Sequence, residues 1–292
     1  MLRDPLRFVF TATSATATAT RTFVVTVEGA VQPSVESSLF PISTGPTAST
    51  TVQPGSAPTG DAQLQLSANW GGYVYTTPSV DALVGGSWSV PRLNCAQTPN
   101  ANSATWVGVG GAVAYDLLQT GVEDDCVNGV QLDTGFWELF PEDAAQVFSR
   151  FPLHPGDEIT ASVLYDGTHW DTDVTDETTG LTGYSIGGLG WGTAFAATHT
   201  LRTWQGPDPY FFAGGRTAEW IEESPSVGSL RIATQPPLAN FGTLQFTSLT
   251  TNVAGWSLDG SDVVEMESES GVLKALPADP GGGVYELTWQ SP

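Results

Sequence analysis

Two polar side chains stand where buried strands would be expected to carry apolar residues, and together they have the chemistry to hydrolyse an amide bond. Gln119 lies in YDLLQTGV (115–122), and Glu219 lies in RTAEWIEE (216–223). A carboxylate can take a proton from a water molecule that attacks a carbonyl carbon and then give it to the departing amine. An uncharged amide can orient the same water and donate an N–H to the developing oxyanion. Gln119 and Glu219 could act on a substrate in this way, or each could have a structural partner, and we refer to them as the candidate pair.

A glycine-rich motif, GYSIG (183–187), matches the G-x-S-x-G pattern of serine hydrolases. In those enzymes the serine occupies a sharp turn from a strand into a helix. The residues that follow, GLGWGTAF, contain too many glycines for a helix, so we expect a turn between strands and no nucleophile at Ser185. The histidines His154, His169 and His199 are too scattered to form a metal site, and we expect no bound metal.

The segments that would position the candidate pair are predicted to be almost entirely β-strands. From residue 69 onward, short runs rich in Val, Thr and aromatic residues alternate with clusters of Gly, Pro, Asn and Asp. About twelve strands in roughly 220 residues predict an all-β fold in which two antiparallel sheets pack face to face. The candidate strands cover residues 69–76, 83–90, 103–109, 115–122, 129–139, 158–165, 168–175, 181–186, 195–203, 216–223, 241–249 and 284–290.

Composition divides the chain into three parts. Residues 1–30 end in TRTFVVTVEGA, which alternates like a strand, and they are interpreted as the remnant of a preceding β-domain. Residues 31–66 are rich in Ser, Thr and Pro and cannot bury enough apolar surface to fold alone, so we expect a disordered linker. Residues 67–292 form the predicted β-sandwich catalytic domain.

Charge and cysteine content limit the classes of partner and compartment. Acidic residues outnumber basic ones 31 to 9, which gives a formal net charge of -22 and disfavours binding to nucleic acid or anionic membranes. Because protonation of carboxyl groups relieves the self-repulsion, the composition suits acidic surroundings. No apolar run is long enough to span a membrane, and the N-terminus has no signal-peptide pattern. Cys95 and Cys126 are the only cysteines, compatible with one disulfide in an exported protein or with two buried thiols.

Seven segments occur in the order and approximate spacing of the glutamic peptidases (the eqolisin or G1 family), which the chain resembles over about residues 67 to 290. LQTGV and AEWIEE are specific in combination, although each alone is a weak motif. The segments are NWGGYV (69–74), SWSVP (87–91), TWVGVGG (105–111), LQTGV (118–122), FWELFP (136–141), AEWIEE (218–223) and LANFGTLQFT (238–247).

This resemblance implies a fold and an activity. The fold is a sandwich of two curved antiparallel sheets, a concanavalin-like or lectin-like jelly roll, with the active site on its concave face. The implied activity is that of a secreted, acid-acting endopeptidase that cleaves polypeptides and needs no metal or cofactor, and we expect it to be a monomer. The catalytic Gln and Glu of the family map onto Gln119 and Glu219.

The same resemblance implies a set of supporting or substrate-binding residues. Trp106 of TWVG matches a tryptophan that supports the dyad, and Glu138 of FWELFP matches an acidic residue near the active site. Trp137 and Phe140 of FWELFP are expected to lie beside it. The chain departs from the fungal pattern in two places, since Gly110 stands where an aspartate is frequent and Phe140 where a tyrosine is usual.

A second reading is a non-catalytic or carbohydrate-active sandwich, for example a lectin-like binding module behind a linker. It draws on the same fold, which does not fix function, and on the ten tryptophans. A glycanase needs two carboxylates at its site, whereas the partner predicted for Glu219 is the amide of Gln119. The sequence therefore favours the peptidase.

Overall fold

The computed structural model describes backbone and side chains over ten ranges of the chain. These are residues 64–76, 83–112, 117–140, 145–148, 151–165, 170–183, 216–226, 235–252, 256 and 260–292. For residues 6–13, 18–26, 34–36, 41–42, 149–150, 184–186, 193–196, 227–229 and 232–234 it describes the backbone alone. Within these ranges the regular elements are strands apart from a 3₁₀ position at Gly260. No described helix is long and apolar enough to cross a membrane.

The strands are numbered in chain order. They are β1 (Leu6–Thr13), β2 (Thr18–Thr26), β3 (Ser34–Glu36), β4 (Pro41–Ile42), β5 (Leu64–Ser67), β6 (Trp70–Thr76), β7 (Leu83–Ser89), β8 (Ala101–Gly110), β9 (Leu117–Val127), β10 (Val130–Phe140), β11 (Gln146–Pro152), β12 (Glu158–Tyr165), β13 (Trp170–Asp176), β14 (Leu181–Ile186), β15 (Thr193–Ala196), β16 (Thr217–Glu223), β17 (Ser226–Ser229), β18 (Ile232–Thr234), β19 (Thr243–Thr251), β20 (Asp262–Glu267), β21 (Leu273–Ala278) and β22 (Tyr285–Trp289).

One long sheet folds on itself to make the sandwich. In hydrogen-bonded order its strands are β21, β22, β19, β7, β12, β13, β14, β15, β11, β10, β9, β8, β16, β6, β20 and β5, and β20 also pairs with β21. The sheet is therefore nearly closed. Of its described pairings, β11 with β15 and β20 with β5 are parallel and the others antiparallel. The predicted all-β sandwich is confirmed.

Alternating side chains give the strands beside the candidate pair two different apolar faces. One face packs between the layers, where β12 contacts β8 and β9, and its core includes Trp88, Val107 and Trp220. The other face carries a second buried cluster that includes Trp106 and Ile221. Because a strand turns successive side chains to opposite sides, Trp106 and Val107 belong to different clusters although they are neighbours in the chain.

A disulfide joins Cys95 to Cys126 and so ties the loop after β7 to the end of β9. The sequence left this pairing open. Cys126 is the register partner of Gln131 on β10, so the bridge holds the chain close to the β9–β10 hairpin. The turn of that hairpin contains Asn128 and Gly129, both with positive φ, as tight hairpins require.

The described N-terminal strands are grouped separately from most of the sandwich. Strands β1, β2 and β3 form a three-stranded sheet of their own, and β4 pairs with β17. Strands β3 and β4 and the first residues of β5 fall inside the segment predicted as a linker, and β5 pairs in parallel with β20 at an edge of the sandwich. Of the candidate strand at 195–203, only its beginning lies within described residues, in β15.

Candidate active site

Gln119 is the third residue of β9 and has no exposed surface. Its register partners are Gly108 on β8 and Glu138 on β10. The Gln119 Nε2 atom donates a hydrogen bond of 2.6 Å to Glu138 Oε2. In this contact the nitrogen end of the Gln119 amide faces β10. Gln119 Oε1 is buried and has no hydrogen-bond partner in the described part of the chain.

Glu219 lies on β16, also with no exposed surface. Its Oε1 atom accepts hydrogen bonds from the hydroxyl of Thr217 at 2.7 Å and from the backbone N–H of Ala112 at 3.2 Å. Its Oε2 atom is buried without a hydrogen-bond partner among the described residues. Burial raises the pKa of Glu219 to about 8, and the hydrogen bonds from Thr217 and Ala112 act in the opposite direction.

The two side chains of the candidate pair share one face of the sheet with a single strand between them. Gly108 on β8 is the register partner of both Gln119 and Glu219, which puts their Cα atoms about 10 Å apart. A Cβ atom at Gly108 would lie 2.8 Å from Cζ3 of Trp106 and 3.2 Å from Cβ of Gln119. Glycine is therefore needed at this position, because the six-membered ring of Trp106 occupies the space above it.

Trp106 is held from the side of β16. Its indole N–H donates a 2.9 Å hydrogen bond to Glu223 Oε2, and the side-chain amide of Asn69 donates to Oε1 of the same carboxyl group at 3.3 Å. Trp70 packs edge-on against Trp106, with 4.9 Å between ring centroids. The sequence analysis did not select Glu223 or Asn69. The position of Glu223 on the same strand face as Glu219 was the available clue.

The FWELFP segment divides between the two faces of the sheet. Glu138 and Phe140 lie on the face of Gln119, where Phe140 belongs to the second apolar cluster. Trp137 is buried in the core between the layers. Trp137 and Glu138 lie on opposite sides because adjacent residues of a strand alternate in direction, so a supporting role of Trp137 would be exerted from the core. Trp106 lies on the same face as Gln119.

A small cavity adjoins Gln119 on the side of β10. Glu219 is not among the described residues that line it. The lining residues are Ala104, Gln119, Glu123, Phe136, Glu138, Ala145, Glu223 and Pro225. The cavity therefore reaches the amide of the candidate pair, and its walls offer mainly carboxyl groups and apolar carbon.

A separate group of buried acids lies on the opposite face, inside the sandwich. Asp124 on β9 is the register partner of Asp133 on β10, and Glu222 accepts a 2.6 Å hydrogen bond from Thr105 on β8. Burial raises the pKa of Glu222 to about 7 and that of Asp133 to about 6. Burial, followed by repulsion from Asp133, holds the pKa of Asp124 well above its ordinary value.

Two alternative sites from the sequence have little structural support. Ser185 falls inside β14, where the chain is extended, so it occupies neither a strand-to-helix turn nor the glycine-rich turn that we expected. Within the described residues no group of three or more His, Cys, Asp or Glu side chains is arranged to hold a metal ion. His154 is exposed, and His169 and His199 lie outside the described residues.

Comparisons with known proteins concern the family and the fold of the chain. The model of the Peptidase A4 family matches residues 68–185 and 196–283. Scytalido-glutamic peptidase, in crystal structures with a transition state analog inhibitor and with a peptide based transition state analog, is 20% identical, with a TM-score of 0.59 over 76% of this chain and 98% of its own. Aspergilloglutamic peptidase from Aspergillus niger is 22% identical, with a TM-score of 0.44 over 65% of this chain and 99% of its own. No curated protein sequence matches the chain.

The family match covers both strands of the candidate pair and well over half of the chain, whereas the likeness to scytalido-glutamic peptidase shows the shared fold. The chain therefore belongs to the Peptidase A4 family, which confirms the family predicted from the motifs, and it is a peptidase.

Proposed function

We propose that this peptidase hydrolyses polypeptides in acid through Gln119 and Glu219, with one water molecule as the attacking group. The observation that carries the proposal is a pair of buried oxygen atoms on one sheet face, Gln119 Oε1 and Glu219 Oε2, neither of which has a hydrogen-bond partner among the described residues. Buried polar atoms are nearly always paired, so two such atoms flanking Gly108 favour a site that receives water or substrate.

In the proposed reaction Glu219 Oε2 accepts a proton from the water as its oxygen attacks the carbonyl carbon, and Gln119 Oε1 orients the second water hydrogen. One Nε2 hydrogen of Gln119 is directed at Glu138, which leaves the other for the oxyanion. Such a donor contributes about 3 kcal/mol in other hydrolases. Glu219 then donates its proton to the departing amine.

Glu219 must be ionised to act as the base, whereas its burial in this structure disfavours the charged form. The proposal therefore includes entry of water and substrate beside Oε2, which restores solvation and lowers the pKa of Glu219 toward the ordinary value of about 4.3. The N–H of Ala112 and the hydroxyl of Thr217 act in the same direction because they stabilise the carboxylate.

We assign supporting roles by contact. Glu138 orients the amide of Gln119. The ring of Trp106 covers Gly108, between the side chains of Gln119 and Glu219. Phe140 closes the apolar wall of the same face. Residues 67–292 are proposed as the catalytic domain and residues 1–66 as a preceding remnant and linker. The Cys95–Cys126 disulfide supports secretion, since such bonds persist in oxidising compartments.

The test uses Gln119→Glu and Glu219→Gln, with casein as the substrate at about pH 3 to 4. We expect both variants to lose activity by at least about a hundredfold, while a metal chelator and a fluorophosphonate leave the wild type active. The matched control is Glu265→Gln on β20, which lies outside the face of the pair. Full activity in both dyad variants would falsify the proposal, and glycan binding without peptidase activity would support the lectin-like alternative.

A further inference from the structure

The hydroxyl of Thr217 lies between two acceptors that belong to segments far apart in the chain. Thr217 Oγ1 is 2.7 Å from Glu219 Oε1 and 2.8 Å from the carbonyl oxygen of Gly110. Thr217 is fully buried on β16, two residues before Glu219 and on the same face. Since a hydroxyl has one hydrogen, it can donate to only one of these two oxygens at a time.

The backbone N–H of Ala112 repeats this arrangement. It lies 2.8 Å from the carbonyl oxygen of Gly110 and 3.2 Å from Glu219 Oε1. Two donors therefore face the same two acceptors, one of which titrates. The turn that brings them together passes through Gly110 and Gly111, with φ values of 92° and 75°, a backbone conformation that favours glycine.

The protonation state of Glu219 decides how the hydrogens are distributed. If Oε1 carries a proton, that proton is donated to Thr217, whose own hydrogen is then free for the Gly110 carbonyl, and both short contacts are hydrogen bonds. If the Glu219 carboxylate is ionised, the Thr217 hydroxyl has two acceptors beside it, Glu219 Oε1 and the Gly110 carbonyl. The hydroxyl then donates to the charged oxygen, because charge-assisted hydrogen bonds are stronger. Of these two donors, only the N–H of Ala112 then remains for the Gly110 carbonyl.

We propose that Thr217 is a positioning residue for Glu219, whose hydroxyl donates to the Glu219 carboxylate when it is ionised and to the Gly110 carbonyl when Glu219 is protonated. The contact holds Oε1 and leaves Oε2 directed at the reacting water. This inference rests on the proposed function of Glu219 as the base. It adds a residue that no motif identified, and it links the charge of the base to the turn after β8.

Other titratable groups on this face are separated from Glu219 by at least one side chain. Glu223 follows on the same strand beyond Ile221, Asp262 on β20 lies two strands away, and Glu138 on β10 lies beyond Gln119. The residues directly opposite Glu219 on β6 and β8 do not titrate. Thr217 and Ala112 therefore supply the nearest polar influence on its carboxyl group among the described residues.

The experiment compares Thr217→Val, which has a similar shape without the hydroxyl, with Thr217→Ser, which keeps it. kcat/KM for an unfolded polypeptide is measured between about pH 2 and 7. We call the acidic side of the kcat/KM pH profile, where activity rises as Glu219 ionises, the acid limb. We expect Thr217→Val to move the acid limb to higher pH by about one unit and to lower kcat about tenfold with little change in KM, because the ionised base loses a donor. Thr217→Ser should retain the wild-type limb.

A matched control comes from the opposite face of the same sheet. Thr105 is equally buried, and its hydroxyl donates to Glu222 in the same manner. Thr105→Val therefore removes a comparable buried hydroxyl, and it should lower the melting temperature without moving the acid limb. If Thr217→Val does not fold, Thr217→Ala serves as the second variant, with circular dichroism as the check of folding.

Carbon-13 NMR tests the exchange of partners without turnover. The Glu219 carboxyl resonance, identified by its loss in Glu219→Gln, should titrate at a higher pH in Thr217→Val. The carbonyl resonance of Gly110 should shift with the same midpoint in the wild type but not in that variant. Unchanged acid limb and carboxyl titration in Thr217→Val would overturn the inference. Activity retained in Glu219→Gln would instead overturn the proposed function, so the two failures are distinguishable.

Discussion

At the scale of single residues, the contact between Gln119 and Glu138 decides what the amide can do. Both side chains are buried, and the 2.6 Å hydrogen bond runs from the amide nitrogen to the carboxyl group. An amide rotated by half a turn would place two acceptors against each other, so Glu138 selects the orientation in which Oε1 faces the site. The catalytic role proposed for Gln119 therefore depends on its contact with Glu138.

Replacement of Glu138 tests this dependence. Glu138→Gln keeps the size of the side chain but can either donate to or accept from the Gln119 amide, so the orientation is no longer selected. We expect kcat/KM to fall about tenfold to a hundredfold, the value of a hydrogen bond to a charged group. The measurement is peptidase kinetics at the acid optimum beside Glu265→Gln, and equal activity in the two variants would contradict the role of Glu138.

At the scale of elements, the two faces of β8, β9 and β16 place acids in two different environments. Glu219 and Gln119 lie on one face, whereas Asp124 and Glu222 lie inside the sandwich. For each buried acid whose pKa is raised by burial, the folded protein binds a proton more tightly than the unfolded chain does. The stabilisation is therefore fully present below the pKa of the acid in the unfolded chain, and it is lost as the pH rises through its pKa in the folded protein.

Glu222 gives a measurable case of this linkage. Between its unfolded pKa of about 4.3 and its folded value of about 7, the free energy of unfolding should fall as the pH rises. Glu222→Gln mimics the protonated form, so the variant should match the wild type near pH 4 and exceed its stability by about 3 kcal/mol near pH 8. Urea unfolding at both pH values checks this, with the half-buried Glu286→Gln as control. A parallel pH dependence in the variant would exclude Glu222 as the cause.

At the scale of the whole molecule, the acidic surface and the acidic interior favour the same conditions. The net charge of -22 opposes folding near neutral pH through self-repulsion, and the buried carboxyl groups add to that effect. Both are relieved by protonation. A chain of this composition and interior is therefore expected to keep its fold in acid and to lose stability toward neutral pH.

Removal of residues 1–63 tests the proposed division of the chain. The remaining chain begins with β5, which pairs with β20, and it keeps the sandwich and the disulfide. We expect it to fold and to hydrolyse casein with unchanged kcat/KM, because the candidate pair and its described contacts lie beyond this point. Among the described strands, the pairing of β4 with β17 would be lost. Insoluble or inactive protein would show that the N-terminal segment belongs to the catalytic domain.

Local patterns predicted a large part of this description. Strand alternation placed Gln119 and Glu219 on strand faces that the structure confirms, and the motif set predicted the family. The motif grouped Trp137 with its neighbour Glu138, whereas strand alternation places the two on opposite faces. The strand containing Gln119 was predicted to end at residue 122, but it continues through EDDC to Val127. Buried charged residues are unusual in a strand, so local patterns did not predict this extension.

The sequence by itself determined the class of the protein: an acidic, strand-rich chain with the motifs of a peptidase family and two polar residues in apolar strands. These properties are local, since they depend on residue type and on spacing along a few residues. Only the tertiary structure decided the partners, among them Glu138 for Gln119, Thr217 and Ala112 for Glu219, and Gly108 between the pair. Most of these contacts join segments far apart in the chain, and strand order and register, which no single segment encodes, bring them together.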